Sequence, residues 1–92
     1  MCTNVTVRAE IAGSAKGPQG WFGVDTAVVS FDHPYHAPFD HSLNIDVVNE
    51  RAGRPVRMAL ELSAASARAL VRAIEEALAA GEHEAGLVVR VE

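Results

Sequence analysis

Hydrophobic and polar positions alternate along four stretches of the chain, then change period once. From Thr3 to Ala12, Val5, Val7, Ala9 and Ile11 stand against Thr6, Arg8 and Glu10, the period-two pattern of a half-buried strand. A second run, from about Val24 to Phe31, puts Ala27, Val29 and Phe31 on one side. A third, Ser42 to Asn49, sets Leu43, Ile45 and Val47 against Asn44, Asp46 and Val48, and a fourth sets Val56, Met58, Leu60 and Leu62 against Arg57, Ala59 and Glu61. After Ser63 the apolar positions Ala67, Leu70, Val71, Ile74, Ala77 and Leu78 fall on one helical stripe, with Arg68, Arg72, Glu75 and Glu76 opposite. Ser63 is the predicted N-cap, and Gly81 is placed to close the helix. Leu87 to Glu92 alternates again and reads as a short last strand.

The order β-β-β-β-α-β predicts one α+β domain of two layers: a four-stranded antiparallel meander, one C-terminal helix across its apolar face, and a last strand joining the sheet. Between the first two strands, Gly13 to Gly20 holds three glycines and Pro18 and reads as a loop. Asp32 to His41 is a second irregular segment, because Pro34 and Pro38 lack the amide hydrogen that a ladder needs. A helix covers about two strands of a sheet, so a five-stranded face is left partly bare and a homodimer is expected.

Composition narrows the function. Eight Lys and Arg against twelve Asp and Glu leave a net charge of −4 in 92 residues, the wrong sign for a nucleic-acid partner. No run approaches the apolar length of a membrane span, and Met1-Cys2-Thr3-Asn4 has neither the basic flank nor the apolar core of a signal peptide. A single cysteine forms no internal disulfide, so the expected location is the cytoplasm. Gly13, Gly17 and Gly20 do not match a phosphate-binding spacing, and Lys16 is not followed by Ser or Thr.

One clustering stands out: all five aromatic residues and three of the four histidines fall between Trp21 and His41. His33, His36 and His41 have spacings that a loop can fold around one divalent transition metal, Zn, Cu or Fe, leaving an open position for catalysis. Asp32 is then the candidate orienter or general base, and Asp40 a further ligand or orienter. Cys2 would become an N-terminal aminothiol if Met1 were removed, a candidate fourth ligand or nucleophile. Antiparallel pairing of the first two strands would bring it near Asp32 and His33. Trp21, Phe22, Tyr35, Asn44 and Asp46 are candidate substrate contacts. Each also has a plainer reading: a structural loop for the histidines, core filling for Trp21 and Phe22, a small apolar strand residue for Cys2, and a solvated strand face for Asn44 and Asp46. A strand of eight residues holds Trp21 and the histidines roughly 25 Å apart, so one subunit would carry two sites unless a dimer brings Trp21 of one chain to His36 of the other.

Cys2-Thr3, Gly13-Ser14-Ala15-Lys16-Gly17, Gly20-Trp21-Phe22, Phe31-Asp32-His33-Pro34, His36-Ala37-Pro38, His41 and Leu43-Asn44-Ile45-Asp46 together resemble a family of small uncharacterised actinobacterial proteins, a domain of unknown function. The resemblance implies no activity or cofactor. Three functions therefore stand from the residues: a small metal-binding protein, acting as a metalloenzyme on a small molecule through the three-histidine loop; a metal-free enzyme using Cys2 or a loop histidine; and a non-catalytic dimeric binding module with an aromatic contact surface.

Overall fold

A computed structural model of the chain describes residues 5–52 and 57–86. Four strands, β1 (Val5–Gly17), β2 (Gly20–Asp32), β3 (Ser42–Val48) and β4 (Arg57–Leu62), form one antiparallel sheet in the order β1-β2-β3-β4. A short 3-10 turn at Glu50–Ala52 follows β3, and the helix α1 (Ala64–Glu84) follows β4. The architecture is the expected α+β meander with one C-terminal helix. Cys2 and the expected strand over Leu87–Glu92 lie outside the described residues.

The register converts the sequence alternation into two chemically distinct faces. Three rungs cross the sheet on the apolar face: Val5–Phe31–Leu43–Leu62, Val7–Val29–Ile45–Leu60 and Ala9–Ala27–Val47–Met58. Directly opposed residues share a face, so every position in these rungs is apolar. The other face carries Thr6–Ser30–Asn44–Glu61, Arg8–Val28–Asp46–Ala59 and Glu10–Thr26–Val48–Arg57.

The glycine-rich segment differs from expectation. Gly13 to Gly17 is not a loop but the continuation of β1, paired with β2 down to Gly17 opposite Gly20, so that Pro18 and Gln19 alone make the turn. Gly20 adopts φ +115°, a backbone conformation that a side chain would strain. A β-bulge between Glu10 and Gly13 puts one extra residue into β1. The bulge reverses the facing of everything beyond it, placing Ala15 opposite Phe22 on the side of the polar rungs. Ala15 and Val24 are the buried apolar residues of this distal half. The Phe22 ring lies against Gly17, where an added Cβ would meet it at 3.4 Å.

Ser63 caps α1 as expected, its hydroxyl accepting the Ser66 amide at 3.1 Å. The helix does not stop at Gly81. It runs to Glu84, and the left-handed residue beyond its end is Gly86, at φ +71°, whose amide reaches the His83 carbonyl at 3.1 Å. Helix α1 touches the sheet along β3 and β4 and leaves an open apolar groove of about 560 Å³ between Val29, Phe31, Leu43 and Ile45 below and Leu70, Val71 and Ile74 above. Among the described residues no helix is long and apolar enough to cross a membrane.

Candidate functional site

The segment between β2 and β3 folds back over the polar face, and a carboxylate holds it there. Glu61, on β4, accepts three consecutive backbone amides: those of Tyr35, His36 at 2.8 Å and Ala37 at 2.7 Å. Successive amides pointing inward form an anion-binding concavity, and here the protein supplies the anion itself. The Glu61 pKa lies below its ordinary 4.5, because the Ala37, His36 and Tyr35 amides favour the charged form over the cost of partial desolvation. The positive charge of the His36 ring acts in the same direction. The segment is a clamped arch rather than a free loop.

Between the arch and the sheet lies a cavity of about 540 Å³. Its floor is the rung Ser30–Asn44–Glu61 with Asp46, Arg57 and Ala59, and the arch contributes His33, Tyr35, His36 and Ala37. Asp46 and Arg57 stand 3.7 Å apart, Oδ1 to Nη1, a loose pair. The fully buried Ser42 hydroxyl donates to Asn44 Oδ1, which fixes the orientation of that amide and leaves its NH₂ as the donor toward its surroundings.

The three imidazoles of the arch have separate positions. His41 lies between two rings, stacked on Phe31 with centroids 5.8 Å apart and on His33 with centroids 5.1 Å apart. His33 Nδ1 donates to the Asp40 carbonyl at 2.9 Å, so its Nε2 keeps the lone pair in the neutral ring. His36 is exposed and lines the cavity beside Glu61. Nearly parallel rings, 23° between planes, direct their nitrogen lone pairs side by side rather than onto one point. Among the described residues no three His, Cys, Asp or Glu side chains converge as a ligand set.

Of the other residues singled out by sequence, Tyr35, Asn44 and Asp46 line the cavity with His33 and His36. Asp32 accepts the His33 backbone amide at 2.7 Å, which starts the arch, and the Asp40 carbonyl accepts from the His33 ring. Trp21 and Phe22 lie at the far end of the β1–β2 hairpin, away from the cavity, as the spacing along β2 predicts. Glu61, Ser30 and Arg57 were not singled out by sequence. The one signal for them is the alternation that puts Glu61 and Arg57 on the polar side of β4, where polar side chains are ordinary.

A second polar cluster pins the opposite end of the sheet. Asp25 accepts the Glu50 amide at 2.9 Å, the Thr26 hydroxyl at 2.8 Å and the Arg51 amide at 3.3 Å. Its pKa lies below the ordinary 3.8, chiefly through the Glu50 amide working against desolvation. Glu50 in turn pairs with Arg8.

No curated protein and no solved structure matches the chain. Residues 1–87 match the family described as "Family of unknown function (DUF6295)", a match over nearly the whole chain, and the protein therefore belongs to that family.

Proposed function

We propose that this protein binds a small polar molecule in the cavity between the 33–41 arch and the polar face of the sheet, as a binding module or as a metal-free acid–base enzyme. The observation that supports this most is the Glu61 clamp. It keeps His33 and His36 over Ser30, Asn44 and Asp46, with the Tyr35 ring fully exposed, so donors and acceptors from three strands and one arch face a common volume. The loose Asp46–Arg57 pair suits a ligand carrying a cationic or donor group for the carboxylate and an acceptor for the guanidinium. Two imidazoles at the same cavity, those of His33 and His36, are the side chains on which acid–base chemistry there would draw.

Screening a library of amines, amino acids and hydroxy acids by amide chemical-shift perturbation tests this reading. Shifts grouped at residues 30, 33–37, 44–46 and 57–61 are expected for at least one class. A library that shifts nothing, or shifts only the distal hairpin, overturns it.

A second reading is a transition-metal site for Zn, Cu or Fe, acting in a metalloenzyme. It is favoured by His33 and His36 sharing one cavity with Asp46 and Glu61. In that reading His33 Nε2 and His36 supply nitrogen donors and Asp46 oxygen. His41 joins them only by leaving its ring stack. Metal analysis of tag-free protein after supplementation is the test: about one equivalent supports the site, and less than about 0.2 equivalents sinks it.

A further inference from the structure

We infer that the protein is an isologous homodimer in which the apolar face of the sheet and the apolar stripe of α1 meet the same surface of a second copy. The proposal concerns the opposite side of the sheet from the ligand cavity and stands independently of it.

The apolar face is complete in sequence but bare in the single chain. Val7 is 59% exposed, Leu60 41% and Met58 38%, although all three sit in the apolar rungs. The stripe on α1 is no better covered: Val71 is 55% exposed, Ile74 51% and Leu78 56%. Four strands span about 15 Å between outer axes, before side chains, and one helix about 10 Å across covers only the β3–β4 side. Among the described residues, no layer lies above the strip formed by Val5, Val7 and Ala9 on β1, while α1 holds an apolar flank in the open. Exposed apolar surface of this extent on both walls of an open groove marks an interface.

Area identifies the occupant as a second copy. The chain exposes 7444 Å², whereas a compact monomer of 9.8 kDa exposes about 5,200 Å². The excess, about 2,200 Å² per chain, is what each partner removes from water in an obligate homodimer. The radius of gyration agrees: 15.4 Å against about 12 Å for a compact chain of this length. A surface that is apolar except for Arg68 at the groove edge, formed by one sheet face and one helix, can meet its own copy, as a two-fold interface requires. The outer face of α1, with Arg72, Glu75 and Glu76, then remains in water, as do the two ligand cavities.

Sedimentation of the full chain tests the proposal, with Val7→Lys, Val71→Glu and the outer-face control Arg72→Glu run beside it. Wild type and Arg72→Glu are expected at twice 9.8 kDa, and the two seam variants at half the wild-type mass. Val7 and Val71 are more than half exposed in the single chain, so a charge there disturbs an isolated monomer little. Seam variants that unfold beside a dimeric wild type therefore also support burial across the interface. A wild type that sediments as a monomer at micromolar concentration overturns the proposal, whether its own residues 87–92 or a different protein covers the face. So do folded seam variants that remain dimeric.

Discussion

Ala37 donates its backbone amide to a Glu61 carboxylate oxygen at 2.7 Å, across 24 residues of sequence. With the Tyr35 and His36 amides on the same carboxylate, this contact turns a proline-containing connection into the roof of a cavity. Removing the acceptor leaves three amides to water. Glu61→Ala is expected to raise hydrogen exchange at Tyr35, His36 and Ala37 by about tenfold or more, with β1–β2 amides unchanged. Glu61→Gln, which keeps an oxygen acceptor without the charge, is expected to fall between. Unchanged exchange in Glu61→Ala would show that the arch holds itself.

The same clamp sets a pH dependence. The folded Glu61 pKa is lowered, so its contribution is fully present above the ordinary value of 4.5 and is lost as pH falls through the lower folded value. Arch amides are expected to keep their protection at pH 5 and to lose it only on acidification below 4.5, and Glu61→Gln is expected to abolish that step. A transition above pH 5, or one that persists in Glu61→Gln, would contradict the assignment to Glu61.

The histidine stack separates two roles that sequence alone leaves merged. His41→Ala removes the middle ring of the Phe31–His41–His33 stack and is expected to cost about 0.5–1 kcal/mol, seen as a lower Tm. His41→Phe keeps a ring and is expected to retain most of that stability while removing any ligating nitrogen. If His41→Phe instead abolished metal uptake from a protein that takes up one equivalent, His41 would be a ligand.

Ser63→Ala tests the start of α1. Losing the hydroxyl that accepts the Ser66 amide is expected to cost about 1 kcal/mol, measured by denaturant unfolding at one fixed protein concentration. No change would mean that tertiary contacts alone define this end.

Much of the fold was legible because alternation is a local signal. Every residue of the three apolar rungs can be assigned to one side by counting in twos, and α1 by its stripe. The distal hairpin was not legible, since Gly13, Gly17, Pro18 and Gly20 have loop composition while strand pairing places the three glycines in a ladder closed by the two-residue turn Pro18-Gln19. Gly81 misled for the same reason: glycine is compatible with a helix end but does not enforce one, and the left-handed backbone occurs at Gly86. The histidine cluster marks the segment that forms the arch, and Asn44 and Asp46 lie on the face of the sheet beneath it. Glu61 stayed hidden because its function depends on backbone amides 24 to 26 residues away, which leave no mark in residue identity.

The proposal that a clamped arch over the polar face makes a ligand site is tested most directly by calorimetric titration of a ligand from the shift screen into wild type, Glu61→Ala and Trp21→Ala. It predicts binding weakened about tenfold or more in Glu61→Ala and unchanged in Trp21→Ala, whose side chain lies at the far end of β2. Equal affinity in wild type and Glu61→Ala, with loss in Trp21→Ala, would contradict it.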